Sequence, residues 1–544
     1  MTLTTFSRED MQVGSEKFSR DLRSRPWNFL WLSLCLLLLA GCGTSTVTAN
    51  SGVKVRPAVK QVLVFPNVGV QDFDNLDPAE GSNENSLLAM DMIYSGLVRL
   101  DQNLNVIADQ ATWMISPNQK VYTFYLKPGI TFSDGTPVTA QTYAYTFSRA
   151  LLPTFQSGNA ILYFGNIVGA TAVNTGKTQV LSGIKVINNV TLVITLSRPT
   201  AYFLQALANP LAFPLNQKSI QRYGEANWSE DLVGNGVGTG PFIVKSWEHG
   251  TKMVFVPNQR YYGPHTNLSE VDMIFASDPH TAFQAYQGGQ YNLVWNMLPS
   301  DLAAAHGLSG YVNQALLETD ALFFNTQTAP FNQLALRQAF AYAIDKTTLT
   351  QSALFNSAVP APTIIPPGIP GYQPNLTALS FDRVKALSSL ESIYPDISQV
   401  PSITFSYPTS SVSSTLAATL QAMWQAALGI RVQLLPVETD AYNIEVAAHQ
   451  VQFGFTQWNA DFPDPYDALA LNLLSTAPGN DGQWQNDQFD QLIQQAEQSS
   501  GSARFALYAQ AEQLAITNVG WLPLDHETLA AVIPTYVHGV SLNS

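Results

Sequence analysis

The sequence predicts an α/β protein, and three observations carry that reading. From about Ala321 onward, short apolar strands alternate with amphipathic helices. Leu322-Phe323-Phe324-Asn325 reads as a strand, and Asn332 opens a helix with Leu336, Ala339, Phe340, Ala343 and Ile344 on one face. Leu416, Leu420, Met423, Trp424 and Ala427 mark another helix that stops at Gly429, before the alternating run Ile430-Arg431-Val432-Gln433-Leu434. The second observation is bulk. The chain has 544 residues, 46% of them hydrophobic, enough for large cores in about three units at roughly 150 residues each. The third is polarity: only 12% of residues are charged, and Asn, Gln, Ser and Thr take over the polar surface.

The chain begins with an export pattern. Arg20, Arg23 and Arg25 precede an uncharged, leucine-rich run from Trp27 to Ala40, the shape of a secretory signal. The run is shorter than the roughly 20 residues a membrane-spanning helix needs. It ends in Leu39-Ala40-Gly41-Cys42, which resembles the bacterial lipobox, so residues 1–41 are expected to be removed and Cys42 acylated. Small polar residues follow to about residue 57, a flexible tether that reaches about 50 Å when fully extended.

The body follows in order. Val62-Leu63-Val64-Phe65 is a buried-strand candidate. Leu76-Asp77-Pro78 breaks the chain before a helix expected from about Asn85 to Leu97. Tyr122, Phe124 and Leu126 share one strand face. Pro128-Gly129 and Ser133-Asp134-Gly135 turn the chain, and Thr139 caps a helix carrying Tyr143, Phe147 and Leu151. Ile184–Ile187 and Val190–Leu196 flank Asn188-Asn189, a hairpin signal. The glycine-rich stretch Gly234–Gly240 fits neither nucleotide-loop spacing and reads as a backbone turn feeding the strand Phe242-Ile243-Val244. A proline-rich link is expected from Val359 to Gly371.

One later stretch carries chemistry. The strand Val451–Phe455 runs into Gln457-Trp458-Asn459-Ala460-Asp461-Phe462-Pro463-Asp464-Pro465. Pro463 and Pro465 fix φ and remove two donors, so the turn is stiff and can hold Asp461 as a fixed negative charge beside Trp458. That suits a small cationic group with an apolar neighbour, such as the amino end of a peptide. The competing reading is that both acids cap the helix beginning near Asp467.

Composition excludes several classes. Net charge is −14 with no basic block, which argues against nucleic acid. The only cysteines, Cys35 and Cys42, lie in the first fifty residues, so the body has no disulfide and no cysteine metal site. Seven histidines are scattered without the i, i+3 or i, i+4 spacing of a helical metal site. No metal or other cofactor is expected.

Five stretches together resemble the bacterial extracellular solute-binding proteins of the peptide and nickel class, the oligopeptide- and dipeptide-binding components of ABC importers. They are YTFYLKPGITFSDGTPVTAQ (122–141), GTGPFIVKSW (238–247), LRQAFAYAIDK (336–346), TLAATLQAMWQAALGIRVQL (415–434) and WNADFPDP (458–465). The resemblance covers residues about 60 to 530. It implies a periplasmic-binding-protein-like fold of two α/β lobes on a two-strand hinge, with a third domain inserted. Lobe I would comprise 58–93, 225–318 and 515–540; the insert, 94–224; and lobe II, 319–514. It further implies that Asp461 pairs with a peptide's α-ammonium, that Gln457, Trp458 and Asn459 line an extended ligand, and that Asn83 and Glu84 face it from the first lobe. The implied role is capture of a solute, in this reading a peptide with a free amino end, and delivery to a membrane permease and its ATPase. The protein would be a monomer, lipid-anchored through Cys42 outside the cytoplasm, and not an enzyme. The alternatives are another cargo (oligosaccharide, nickel chelate or haem), a receptor or chaperone that uses the cleft without transport, or a hydrolase with Asp461 and Asp464 as paired carboxylates. Asn258-Gln259-Arg260-Tyr261-Tyr262-Gly263 departs mildly from the family pattern.

Overall fold

A computed structural model describes residues 2–3 and 61–541, except 74, 81–83, 156–159, 226, 230–231, 234–236 and 378. Apart from Thr2 and Leu3, the signal lies outside the described residues, as do the tether, Cys42 and Asn83. The architecture is mixed α/β, as expected, and is organised by three main sheets.

The first sheet begins at Val62–Val68, which pairs parallel to Glu270–Ala276. That strand continues antiparallel through Lys252–Pro257 to Phe242–Glu248. Phe65, Phe255, Val271 and Met273 share a core with Ala89, Met90 and Met92 of the helix Glu84–Ile93. This helix ends four residues earlier than its apolar spacing predicts. The Ile93 carbonyl accepts from the Gly240 N–H at 2.7 Å. A Cβ on Gly238 or Gly240 would lie 2.2 or 2.6 Å from the Ile93 backbone. Glycine is needed there for backbone contact, consistent with a turn rather than a phosphate loop.

The second sheet is antiparallel, ordered Ala111–Ile115, Val121–Leu126, Thr191–Thr195, Ile184–Asn188. Tyr122, Phe124 and Leu126 are buried along one face, and Thr139 heads the helix Ala140–Ala150 with a reciprocal cap to Thr142. The hairpin turns at Asn189-Val190, one residue later than expected, because the Asn188 side chain accepts from the Val190 N–H at 2.9 Å.

The third sheet has eight strands. Its main path runs Val294–Trp295, Trp521–Val532, Glu318–Phe324, Phe453–Asn459, Thr404–Pro408, Gln433–Val437. The helix Ser411–Leu428 stops at Gly429, φ +75°, as the sequence indicates. The following strand starts at Gln433 rather than Ile430: Ile430 and Val432 are buried, and the Val432 carbonyl accepts from Gln421. The proline-rich link contains a strand, Ala358–Pro360, which pairs with Asp525–Glu527.

The long strand Trp521–Val532 spans two neighbourhoods. Residues 521–525 pair with Glu318–Phe324, and residues 528–532 pair with Tyr311–Ala315. Two chain segments, 315–318 and 525–528, thus cross side by side between those neighbourhoods. The largest core joins residues of the second sheet to those between Leu317 and Leu524; the first sheet has its own core, reaching Ala531.

Candidate functional site

Period-two alternation along Phe453–Asn459 sends Gln457 and Asn459 to one face and Trp458 to the other. Gln457 and Asn459 are exposed, while Trp458 is 6% exposed and packed in the large core. Trp424 is also core, its indole N–H donating to the Phe340 carbonyl at 3.3 Å. One edge of Phe453–Asn459 is paired along its length with Glu318–Phe324. The other meets Thr404–Pro408 only through Phe453 and Gly454. Beyond Gly454 that edge has no strand partner among the described residues.

The turn after the strand separates its acids. Asp464 is fully buried and caps the helix Pro465–Leu473 through the Tyr466 N–H at 2.9 Å. Both its oxygens are held by Arg504, at 2.8 and 2.5 Å. The capping reading therefore holds for Asp464 and fails for Asp461. The Asp461 N–H donates to Asp467 Oδ2 at 2.6 Å, and the Asp461 side chain makes no cap to the helix.

Asp461 is half-buried. The Tyr163 hydroxyl lies 3.1 Å from both its Oδ1 and its carbonyl, and Asn209 donates to that hydroxyl at 3.2 Å. Among the described residues, nothing donates to Oδ2. Phe462 stacks on Tyr202 at 4.7 Å, Tyr202 stacks on Tyr466 at 4.4 Å, and Tyr163 meets Phe462 edge-on. This aromatic stack clamps the turn to the segment 163–209. Burial raises the Asp461 carboxyl above its ordinary range, and the Tyr163 hydrogen bond partly offsets the rise. Burial and the charge of Asp461 raise the Tyr163 phenol, so it stays a donor at neutral pH. Buried Asp467 is also raised, by desolvation and then by Asp461.

The structure thus gathers Gln457, Asn459 and Asp461 at one strand end, with Trp458 behind them. Glu84 heads its helix. Tyr163, Asn209, Tyr202 and Asp467 were missed in the sequence. Tyr163 is 298 positions from Asp461, and no local spacing links them. Among the described residues there is no group of three or more His, Cys, Asp or Glu arranged to hold a metal, and no helix long and apolar enough to cross a membrane.

The middle region of the bacterial extracellular solute-binding proteins, family 5, matches residues 107–480. The chain belongs to this family. It is 27% identical over 519 residues to the oligopeptide-binding protein OppA of Bacillus subtilis, covering 92% of this chain and 94% of that one. It is 28% identical over 534 residues to the probable deoxycholate-binding periplasmic protein YgiS of Escherichia coli, covering 95% and 96%. Among solved structures, the unliganded open form of the murein tripeptide binding protein MppA superposes with a TM-score of 0.78 at 25% identity, covering 88% of this chain and 94% of that one. The two-lobe periplasmic-binding-protein fold is therefore the fold of this chain, and its role is that of an extracytoplasmic solute-binding component of an ABC importer. These relatives are binding proteins. Asp464, the second acid of the paired-carboxylate alternative, is sealed beneath Arg504.

Proposed function

We propose that this family member captures peptides with a free amino end between its two lobes and hands them to a membrane permease. One observation carries the reading: a half-buried carboxylate, held at one oxygen by Tyr163 and without a hydrogen bond at the other, stands at the end of a strand whose second edge has no strand partner. An extended peptide adds to such an edge through backbone hydrogen bonds of no sequence preference, and the carboxylate selects the ammonium. A desolvated ammonium is tolerated only against a fixed, hydrogen-bonded acid. The names of OppA and of other relatives, such as the dipeptide-binding protein DppE of B. subtilis, support the cargo class.

The same reading assigns lobe I to 58–93, 225–318 and 515–540, the insert to 94–224 and lobe II to 319–514. Side-by-side crossings at 315–318 and 525–528 serve as the hinge, so residues 515–524, which lead into the pairing with Glu318–Phe324, go with lobe II in this reading rather than with lobe I. Asn83 and Glu84 reach the cargo from lobe I. Cys42 carries a lipid that holds the monomer at the outer membrane face, and no step of covalent catalysis is involved. Calorimetry with di- to pentapeptides tests the core claim. Free peptides should bind and their N-acetylated forms should bind at least tenfold more weakly; equal affinities would remove Asp461 from the mechanism. Cys42→Ala should abolish incorporation of radiolabelled palmitate.

A further inference from the structure

Where the two hinge strands cross, one sheet face is strongly acidic. Register places Glu318 opposite Asn459, Asp320 opposite both Gln457 and Asp525, and Glu527 two residues beyond Asp525 on the same side. Four carboxylates on two adjacent strands therefore share the face that carries Gln457 and Asn459. Glu318 and Glu527 form its half-buried rim, and Gln457 Nε2 donates to Glu527 Oε1 at 2.9 Å.

The floor beneath that rim is unusual. Asp525 is 0% exposed, and among the described residues neither of its carboxyl oxygens has a hydrogen-bond partner; Asp320, 5% exposed, has one oxygen in the same state. The nearby cation, Lys346, donates to the Ala361 carbonyl at 2.8 Å and makes no direct ion pair with either acid. Buried carboxylates without hydrogen bonds are costly, and a stability argument alone would replace them with apolar side chains.

We propose that this acidic face is a specificity subsite that receives the cationic side chain, lysine or arginine, of a bound peptide. The inference rests on the peptide-capture reading and sharpens it: the protein selects basic peptides. Gln457 precedes Asp461 by four positions, on the order of 13 Å along an extended strand. A peptide anchored by its ammonium at Asp461 and running back along that strand brings a side chain two to four residues from its amino end over the face. The rim acids contact the incoming cation, and Asp320 and Asp525 supply the field below it. Burial and mutual repulsion among Asp320, Asp525, Glu527 and Glu318 raise the two buried acids above the ordinary carboxylate range, with Lys346 opposing the rise at Asp525. An arriving cation lowers them again, so binding releases a proton to solvent.

The test is calorimetry on the mature protein with free-amino alanine pentapeptides. One lysine is scanned through positions 2 to 5, with norleucine at the same position as the uncharged control. At one position at least, the lysine peptide should bind tenfold or more tighter than its norleucine partner. Its heat should vary with buffer ionisation enthalpy in the sense of proton release. Glu527→Gln, which keeps the acceptor for Gln457, should bring the lysine-to-norleucine ratio to within threefold of one. Should both peptide sets bind with equal affinity at every position, the subsite is overturned while peptide capture stands. Should no peptide bind, peptide capture falls. The face is then probed with agmatine and cadaverine: binding weakened by Glu527→Gln retains it as a cation site, and no binding removes it.

Discussion

Half-buried Asp461 and fully buried Glu512 are acids put to opposite uses. In the proposed role, Asp461 keeps one oxygen for a guest. Replacing it with Asn should weaken a free-amino peptide by about 2–5 kcal/mol, the range for removing one partner of a buried charge pair. The N-acetylated peptide should be nearly unaffected, and calorimetry reads both. Tyr163→Phe removes the hydroxyl that bonds Asp461 and accepts from Asn209, and should cost about 1–2 kcal/mol in the same assay. Glu512 is internal: its Oε1 accepts from the Ile364 and Ile365 N–H groups at 2.8 Å, and burial pushes its carboxyl up to about 8. It is therefore mostly protonated at pH 7, and Glu512→Gln preserves what it does there. The substitution should change stability by less than about 1 kcal/mol, whereas Glu512→Ala strands two buried donors and should cost about 2–3 kcal/mol in urea unfolding. The stiff turn that carries Asp461 was legible in its prolines and its neighbours. That Tyr163 orients it was not, because a tyrosine in an apolar stretch is most economically read as core.

The turn 460–465 works because two helices hold it. Asp464 starts one, Pro465–Leu473, and is bound by Arg504 from another, Gly501–Thr517. The pair is buried, so removing one partner leaves an uncompensated charge. Arg504→Ala should destabilise by about 3–5 kcal/mol, and a double-mutant cycle with Asp464→Ala should give a clearly non-additive sum. Peptide binding should suffer too, since the stiff turn is what aims Asp461. Alternation along Phe453–Asn459 was readable, as were the caps at Thr139 and Gly429. Of the boundaries that moved, the helix end at Ile93 did so through a distant contact with Gly240, whereas the strand starts after Val432 and Val190 moved through nearer side chains, Gln421 and Asn188.

The whole molecule should close on its cargo. A peptide touching both lobes favours the closed form only by its differential affinity for it. Small-angle scattering should therefore show a smaller radius of gyration with saturating peptide, and no change with a non-binding N-acetylated one. Stability should also track the buried acids. Glu512, pushed up to about 8, and Asp481, raised to about 6 by burial, bind protons in the folded state that the unfolded chain has released. Each contribution is unfavourable as pH rises through the window between the ordinary carboxylate value and the folded one, by about 1.4 kcal/mol per pH unit. His526, depressed to about 4 by burial, acts in the opposite sense, so stability is lost as pH falls from 6.5 toward 4. Lys346, lowered to about 7 by burial, adds stability as pH rises above 7. Glu512 and Asp481, with Asp525 acting in the same sense, outweigh His526 and leave a net fall from pH 5 to 7. Thermal unfolding should show a higher midpoint at pH 5, and Glu512→Gln should flatten the slope.

The α/β class, the caps and the stiff turn that carries Asp461 were all present in the chain, because each depends on residues within a turn or two of one another. Periodicity, prolines and glycines act locally, and local causes are visible locally. The clamp of Tyr163 and Tyr202 on the turn, the burial of Asp464 under Arg504, and the meeting of Asp320 with Asp525 came only with the folded structure. Those contacts join positions tens to hundreds of residues apart. Which buried acid is neutralised by a partner and which is left waiting for one is decided by packing, since the cost of a carboxylate is set by the atoms around it.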